Sequence, residues 1–270
     1  MSGELAGQTA VVTGSSSGIG EGTALRFAEE GANVVTNSRS QERAETTAEL
    51  IREAGGSAIA IEADTSNRAD VQTLVDGAVE EFGSLDIMVN NAGTSVIKPA
   101  VEMTEEEWRR VIDVNLTGVF FGCQAAAQQM IQQNDGGQII NIGSAYGFSG
   151  AQGRGPYCAS KGGVHNLTRC LAVEFAEHDI HVNALAPGFI KTQIDEQTRG
   201  DEESEDFDTW PYYGYTDQHI HNRTPLDRFG TIEEMNNCMV FLAKGDHYMT
   251  GETMRADGGF TAFGWGSKGT

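Results

Sequence analysis

Short apolar runs rich in β-branched residues alternate with helical patterns along almost the whole chain, and this alternation limits the fold more than any other feature. The runs that predict buried strands lie at 9–13, 33–37, 57–64, 85–91, 137–144, 181–188 and 252–259. The segments that predict helices lie between them, at 19–30, 41–54, 68–82, 104–132, 157–177 and 231–243. Strands this continuously apolar are typical of a parallel sheet that is covered by helices on both faces.

The order of these elements predicts an α/β fold, namely a single-domain, Rossmann-like, doubly wound parallel sheet of about seven strands. Right-handed crossovers between parallel strands exclude most other topologies. The chain contains no internal repeat and no linker rich in proline and glycine, so we expect one domain to cover residues 1–270.

One segment, at about 192–222, departs from the alternation. It contains the charged run "RGDEESEDFD" followed by the aromatic run "WPYYGY". Two interpretations stay open for it: a solvated loop with a docked aromatic patch, or a mobile lid over a substrate pocket. The aromatic residues at 210–215 either stack on a substrate ring or belong to the core or to an interface.

The charge balance excludes several classes of partner. Thirty-nine Asp and Glu residues face eighteen Lys and Arg residues, which gives a formal net charge of −21. Such a surface repels nucleic acid and anionic lipid, so we expect neither a nucleic acid nor a membrane as a partner. The carboxylates are spread along the chain instead of forming a tail. This distribution favours adaptation to a salt-rich cytoplasm, where salt screens the self-repulsion.

The N-terminus and the cysteine spacing predict a cytoplasmic protein without a metal site. The segment "MSGELAGQTAVV" lacks the basic region and apolar core of a signal peptide, and no run of eighteen apolar residues occurs. The cysteines lack the C-x-x-C spacing of a zinc site and fit no disulfide framework; they are Cys123, Cys158, Cys170 and Cys238. Histidines such as His165, His178 and His181 are scattered too, so no metal is predicted.

The first predicted strand leads directly into a glycine-rich turn, "TGSSSGIG", which runs from Thr13 to Gly20. Its spacing is Gly14-x-x-x-Gly18-x-Gly20. Glycines at these places permit a tight turn and let backbone amides approach a pyrophosphate at the N-terminus of the following helix. Turns need glycine for other reasons as well, but the position between a strand and a helix predicts dinucleotide binding.

Further motifs follow the glycine turn in a fixed order: "NNAG" at 90–93, a serine ahead of "YCASK" at 157–161, and "APG" at 186–188. Together these motifs resemble the short-chain dehydrogenase/reductase family, and the resemblance extends from about residue 7 to residue 260. It implies a single Rossmann-like domain with a seven-stranded parallel sheet, an oxidoreductase that uses a nicotinamide dinucleotide, and assembly into a homotetramer.

The resemblance also implies catalytic roles for particular residues. Tyr157 is similar to the family's general acid/base, and Lys161 to the partner that also holds the nicotinamide ribose. Ser144, thirteen residues before the tyrosine, is similar to the group that binds the substrate oxygen. Asn115 is similar to the asparagine that supports a water-linked proton path. Two ordinary structural roles remain as alternatives, since Asn115 could bond a neighbouring turn and Ser144 could cap one.

Simple electrostatics agrees with the pairing of Tyr157 and Lys161. Positions four apart on a helix share one face, so the two side chains can meet. An ammonium about 4 Å from a phenolate favours the ionised form by about 4 kcal/mol at an effective dielectric constant near 20. Lys161 is therefore able to supply most of what a tyrosine needs to exchange a proton near neutral pH.

The end of the second predicted strand favours NADP over NAD. In the doubly wound fold an acidic residue at this point bonds the ribose 2′-hydroxyl of NAD. Here the position is held by Ser38, and Arg39 follows it. An arginine pairs with a 2′-phosphate, and no carboxylate repels that phosphate. Use of NAD as well stays open, as does the alternative that Arg39 only opens the next helix and lies in solvent.

The resemblance implies a larger set of cofactor contacts, at the carboxyl ends of the strands. This set comprises Gly14, Ser16, Ser17, Gly18, Ile19, Gly20, Ser38, Arg39, Ser40, Asp64, Thr65, Asn91, Ala92, Gly93, Tyr157, Lys161, Pro187, Gly188, Ile190 and Thr192. Asp64 is similar to the residue whose side chain bonds the adenine amino group, and Ile190 and Thr192 to contacts of the nicotinamide carboxamide.

Of the features of the predicted function, the substrate is the one that the sequence determines least. The overall resemblance is nearest to sugar 1-dehydrogenases and to 3-oxoacyl-acyl-carrier-protein reductases. An acyl carrier needs a basic docking patch, which a chain at −21 does not favour, so a small polar substrate such as a sugar is preferred. Ser144, Gln152 and Tyr157 are the predicted substrate contacts. Further polar groups available for a pocket are Arg154, Asn183, His219 and His221. A ketone reductase, including the acyl-carrier type, and a catalytically idle NADP-binding regulator remain as alternatives.

Overall fold

The computed structural model, which describes residues 3–192 and 217–263, contains one parallel sheet of seven strands in the order β3-β2-β1-β4-β5-β6-β7. The strands are β1 (Thr9–Val12), β2 (Asn33–Ser38), β3 (Ser57–Glu62), β4 (Ile87–Asn90), β5 (Gly137–Ile142), β6 (Ile180–Pro187) and β7 (Thr253–Ala256). Every neighbouring pair is parallel, so the predicted doubly wound sheet is confirmed. The strand order reverses between β1 and β4, and ligands of this fold bind beside the carboxyl ends of strands at such a point.

Helices lie on both faces of the sheet. They are α1 (Gly18–Glu29), α2 (Gln41–Glu53), α3 (Arg68–Phe82), α4 (Glu105–Ile112), α5 (Gly118–Gln133), α6 (Gly155–Phe175), α7 (Asp217–Arg223) and α8 (Ile232–Lys244). Helix α7 falls in the segment predicted to be a loop or lid. The rest of that segment, 193–216 with its aromatic run, lies outside the described residues. Within the described ranges, none of the helices is long and apolar enough to cross a membrane.

The long helix predicted at 104–132 is interrupted. Helices α4 and α5 are joined by a π-helical segment, Asp113–Thr117, which periodicity alone does not indicate. The predicted start is confirmed as a capping box: the Thr104 hydroxyl accepts from the Glu107 N–H at 3.2 Å, and the Glu107 carboxylate accepts from the Thr104 N–H at 2.8 Å. The Thr104 amide and the Lys98 ammonium lower the pKa of Glu107 to about 2.

Apolar side chains are buried on both faces of the sheet, which explains why its strands are apolar without alternation. On one face Val12 and Val34 pack in a cluster with residues of α1, α2 and α8. On the other face Val11, Val35 and Met88 pack with residues of α3, α5 and α6. Strands β1 and β2 thus contribute successive side chains to two separate cores.

A buried polar network joins four elements below the carboxyl edge. Asn90 at the end of β4 donates to the side-chain oxygen of Asn141 in β5 at 2.9 Å, and Asn141 donates to the Thr168 hydroxyl of α6 at 3.0 Å. The thiol of Cys123 on α5 lies 3.3 Å from the same Asn141 oxygen. Because these groups bond one another, they hold β4, β5 and the two helices in a defined register.

Candidate active site

The glycine turn between β1 and α1 has a backbone that other residues adopt only with strain. Gly14 and Gly18 have φ angles of +62° and +59°, in the left-handed region. A Cβ atom at Gly20 would lie 2.3 Å from the side-chain nitrogen of Asn91 and 2.5 Å from the Gly14 carbonyl oxygen. The turn therefore needs glycine at these places, and the lack of side chains leaves a cradle where a phosphate can approach the backbone.

Two polar side chains at strand ends hold this turn in place. The Thr13 hydroxyl accepts from the amides of Asn91 and Ala92 at 2.9 and 3.0 Å. The side-chain oxygen of Asn37, in β2, accepts from the Gly14 amide at 3.1 Å. The ends of β1, β2 and β4 are thus joined into one edge. Thr13 and Asn37 are absent from the predicted site; their signal is a polar residue at the end of an otherwise apolar strand.

The N-terminus of α1 points its first amides into the cradle. Ser17 is the N-cap, but its side chain makes no capping hydrogen bond. Neither Ser16 nor Ser17 makes a side-chain hydrogen bond within the described part of the chain, and both are half-buried. The first amides of a helix have no partner inside the helix, so this end fits the pyrophosphate of a dinucleotide. Ile19 begins the face of α1 that packs on the core.

In doubly wound sheets NAD and NADP are distinguished at the end of the second strand, which here is the end of β2. Ser38 is buried, with its hydroxyl accepting from the Ser40 amide at 3.4 Å, and Ser40 itself caps α2 by accepting from the Arg43 amide at 3.4 Å. Arg39 lies between them and is exposed. Its side chain makes no hydrogen bond or ion pair with any described residue, so it is free to meet a group bound at this edge.

The loop after β3 places the predicted adenine contact. One carboxylate oxygen of Asp64 accepts from the amide and hydroxyl of Ser66 at 2.9 and 2.7 Å. This local turn fixes the carboxylate while its second oxygen makes no hydrogen bond with the described residues. Thr65 is buried, and its carbonyl lies against Gly118, where a Cβ would approach to 2.6 Å.

The segment after β6 closes against the glycine turn from the opposite side. Pro187 ends β6, and a Cβ on Gly188 would lie 2.6 Å from the Asp257 Cα atom, so the chain bends there without a side chain. Ile190 is buried and pairs with Gly230 in an isolated bridge. A Cβ on Gly18 would lie 3.5 Å from a methyl carbon of Thr192. The glycine turn and the segment after β6, which both carry predicted cofactor contacts, are therefore neighbours.

Lys161 lies buried beside Tyr157 on α6. The lysine is 3% exposed, and its Nζ atom is 5.7 Å from the centroid of the Tyr157 ring. Nζ donates to the carbonyl oxygen of Ile142, at the end of β5, at 2.7 Å. Burial lowers the pKa of Lys161 to about 8. An ammonium has three protons, so two remain for other acceptors in the site.

Ser144 begins a short 3₁₀ helix, Ala145–Gly147, immediately after β5. Its hydroxyl oxygen accepts from the Tyr146 amide at 3.1 Å, which is the capping role foreseen as an alternative. That role does not consume the hydroxyl proton, which remains able to donate to a substrate oxygen. The Ser144 amide donates to the Nε2 atom of His165 at 3.4 Å. His165 is a further contact that the sequence did not indicate.

Asn115 sits in the π-helical segment and is fully buried. Its side-chain oxygen accepts from the Thr94 amide at 2.8 Å, and its nitrogen donates to the Thr94 carbonyl at 2.9 Å and to the Ser160 hydroxyl at 3.3 Å. It thus does bond a neighbouring loop. A Cβ built on Gly93 would lie 3.6 Å from the Asn115 oxygen and 3.9 Å from Lys161 Nζ, so Gly93 is adjacent to both side chains.

Half-buried aromatic rings form a wall close to Ser144. Tyr146, Phe189 and Phe260 contact one another edge to face, with ring centroids 5.3–6.0 Å apart. The buried Arg154 places its guanidinium carbon 5.7 Å from the Tyr146 centroid. This wall, named here the aromatic wall, was not predicted, because its members come from three segments that are distant in sequence.

The other predicted substrate groups are placed differently. Gln152 is exposed at the surface. Asn183 is buried, and its side chain bonds the Met249 carbonyl and the Glu252 amide at 3.1 Å each, so it braces β6 against the loop before β7. His221 pairs with Asp227 at 3.3 Å. The side chain of His219 lies outside the described part of the chain.

Known proteins resemble the chain over almost its whole length. A family model described as short chain dehydrogenase matches residues 8–203. A 3β-hydroxysteroid dehydrogenase from Eggerthella lenta is 42% identical over 262 residues, which cover 96% of each chain. A glucose 1-dehydrogenase from Bacillus subtilis is 39% identical over 263 residues, covering 96% of this chain and 97% of the relative. A solved gluconate 5-dehydrogenase from Burkholderia cenocepacia, in complex with NADP and tartrate, matches with a TM-score of 0.85, 34% identity and 96% coverage of both chains.

Proposed function

The chain belongs to the short-chain dehydrogenase/reductase family, and from this premise we propose that it moves a hydride between NADP and a carbinol or carbonyl carbon of a small polar substrate. The observation that carries the proposal is the buried Lys161 beside Tyr157, at the same edge of the sheet as the glycine cradle. Sites of this fold lie at that edge.

The side chains divide the proton chemistry among themselves. Tyr157 exchanges a proton with the substrate oxygen, and Lys161 stabilises the phenolate that results when the proton leaves. The Ser144 hydroxyl donates its proton to the same substrate oxygen, while one lone pair of its oxygen accepts from the Tyr146 amide. Asn115 fixes the loop that carries Gly93 and Thr94 beside Lys161. The bound nicotinamide supplies the carbon that accepts or releases the hydride.

The preference for NADP is supported by the exposed Arg39 and by the absence of a carboxylate at Ser38. We expect Arg39→Ala to lower kcat/KM for NADP by roughly 10- to 150-fold, the effect of losing about 1.5–3 kcal/mol of charge-assisted hydrogen bonding to a 2′-phosphate. The value for NAD should change little, because NAD lacks that phosphate. Steady-state kinetics with both cofactors measures the difference.

A matched control is Arg43→Ala, which removes an exposed arginine from the first turn of α2, the helix that follows Arg39. It should leave both kcat/KM values near those of the unmodified protein. Equal losses for NADP and NAD in the Arg39 variant, or a strong NAD preference of the unmodified protein, would show that Arg39 does not select the cofactor.

For the substrate we propose a sugar or a sugar derivative. The aromatic wall beside Ser144 consists of half-buried rings, and the face of such a ring is able to pack against a sugar ring. Two of the relatives, named as glucose and gluconate dehydrogenases, support this class. The second candidate is a larger ketone or secondary alcohol, which the same wall and the relative named as a hydroxysteroid dehydrogenase favour.

A substrate panel separates these candidates. It contains aldoses, aldonates, 3β-hydroxysteroids, simple ketones and a 3-oxoacyl thioester, each tested with NADP and NAD by absorbance of the reduced cofactor. We expect the highest kcat/KM on a sugar or aldonate with NADP. A preference for the steroid or the thioester would contradict the proposed sugar substrate but would still support the proposed hydride transfer. Tight NADP binding with no turnover on any member would instead support a regulator.

The setting of the protein is also a proposal. We propose a homotetramer in a salt-rich cytoplasm, with no nucleic-acid or membrane partner. The charge of −21 supports the salt-rich setting, and the four cysteines, all free, suit a reducing compartment. Trp108 on α4 and Phe120 on α5 are 42% and 38% exposed, and an interface between copies would cover such apolar side chains.

A further inference from the structure

The imidazole of His165 is buried directly beneath the turn that carries Ser144. His165 lies on α6, four residues after Lys161, and is 2% exposed. Its Nε2 atom accepts the hydrogen bond from the Ser144 amide at 3.4 Å. Ser144 is thereby held at two points, since its hydroxyl is also bonded to the Tyr146 amide at 3.1 Å. The contact at the Ser144 amide comes from His165, which has no role in the proton transfer proposed above.

Two glycines of this turn pack directly against the imidazole ring of His165. A Cβ at Gly143 would lie 2.3 Å from His165 Nε2, and a Cβ at Gly147 would lie 2.3 Å from its Cε1 atom. No side chain fits at either position while the imidazole is present. The two glycines flank the segment 144–146, so the ring occupies the space on the inner side of the whole turn.

Aromatic and cationic groups hold the ring from its other side. The Phe148 ring lies with its centroid 4.3 Å from that of His165, at an interplanar angle of 35°. The guanidinium carbon of Arg255, in β7, lies 5.1 Å from the Phe148 centroid. The stack of Arg255, Phe148 and His165 leads from the surface to the Ser144 amide and restricts the ring to one orientation.

The surroundings keep His165 neutral. Burial, together with the nearby charges of Lys161 and Arg169, lowers its pKa to about 4. A neutral imidazole that accepts at Nε2 carries its proton on Nδ1. Nδ1 is buried and has no hydrogen-bond partner in the described part of the chain. Protonation at Nε2 would remove the acceptor and add a charge beside Lys161, so His165 is unsuited to proton exchange during turnover.

We propose that His165 is a positioning residue for the reaction, because it accepts the Ser144 amide and so fixes the place of the Ser144 hydroxyl relative to the substrate oxygen. This inference rests on the proposed role of Ser144. Displacing a reacting group by about 1 Å is enough to lower a rate about 100-fold, and supporting contacts of this kind are what holds a site within its working tolerance.

Two variants that differ only in the acceptor test the proposal. His165→Gln can place its side-chain oxygen near the position of Nε2, whereas His165→Met has similar length and no comparable acceptor. We expect the Gln variant to keep kcat within about 3-fold of the unmodified protein, and the Met variant to lose about 10- to 100-fold in kcat. NADPH affinity, measured by fluorescence titration, should be unchanged in both, since His165 does not contact the cradle.

A third variant separates this inference from the proposed function. If Ser144→Ala keeps its activity on the best substrate of the panel, the role of Ser144 fails, and that of His165 with it. If Ser144→Ala loses activity while His165→Met keeps its kcat, only the inference about His165 is overturned. Equal kcat losses in the Gln and Met variants also overturn it, because ring volume alone would then explain the effect.

A readout on the unmodified protein does not depend on turnover. NMR of protein labelled with ¹⁵N-histidine should show, at neutral pH, an imidazole with its proton on Nδ1 and an unprotonated Nε2. The assignment comes from the single resonance lost in His165→Gln or, if that variant does not fold, from coupling to the Ser144 amide. A proton on Nε2 at neutral pH would overturn the proposal.

Discussion

A Tyr157→Phe variant is expected to bind NADPH as the unmodified protein does and to lose about 10²- to 10⁴-fold in kcat. The substitution removes only the phenolic hydroxyl, and the ring keeps its place beside Lys161, whose ammonium still donates to the Ile142 carbonyl. The cradle at Gly14, Gly18 and Gly20 is untouched. Cofactor titration and steady-state kinetics on the best substrate of the panel measure the two effects separately.

Tyr248→Phe is the matched control, because it makes the same chemical change at a tyrosine that is fully exposed. It should leave kcat and NADPH binding unaltered. The assignment of Tyr157 as the general acid/base would be wrong if Tyr157→Phe kept most of its activity. Parallel losses of NADPH affinity and turnover would instead indicate a role for the hydroxyl in holding the cofactor.

The sheet was accessible from the sequence because its physical cause is local. A strand buried on both faces places apolar side chains next to each other in sequence instead of alternating them, and the centres of the runs at 9–13 and 33–37 show that pattern directly. The glycine turn was accessible for a similar reason. A backbone with φ near +60° at Gly14 and Gly18 favours glycine, and glycine is visible in the sequence itself.

The features that escaped prediction depend on contacts between distant segments. The π-helical segment at Asp113–Thr117 accompanies the bonds of Asn115 to Thr94, which periodicity does not report. Asn183 resembled a pocket residue by type, yet the loop before β7 occupies both ends of its side chain. His165 had no metal spacing, and its relation to Ser144 exists only because α6 packs under the end of β5.

Stability and function are opposed at Lys161. In the proposed mechanism its buried ammonium stabilises a phenolate, yet burial disfavours the charge itself, which is why its pKa falls to about 8 from the usual 10.5. At neutral pH the residue is protonated in the folded and unfolded states alike, so the folded state carries the whole penalty. The difference in pKa corresponds to about 3 kcal/mol of unfolding free energy.

A Lys161→Met variant is therefore expected to be inactive and, at pH 7, more stable than the unmodified protein by about 1 kcal/mol. The gain is smaller than the full penalty because the Ile142 carbonyl loses its hydrogen bond, at a cost of about 1–3 kcal/mol. Between pH 8 and 10.5 the folded protein releases the Lys161 proton before the unfolded chain does. The unmodified protein therefore gains stability with rising pH in this window, and the difference between the two proteins should shrink and then reverse.

Denaturant unfolding of both proteins without cofactor, at one protein concentration and at several pH values from 7 to 10.5, measures this difference directly. Lys244→Met is the control, because the pKa of Lys244 is shifted in the opposite direction to that of Lys161. Lys244 is at the surface, and its pKa is raised by hydrogen bonds to Glu4 and Asp246, so its loss should not stabilise the fold. A Lys161→Met variant that is less stable than the unmodified protein at pH 7, with no dependence of the difference on pH, would show that burial of this charge is not opposed to folding.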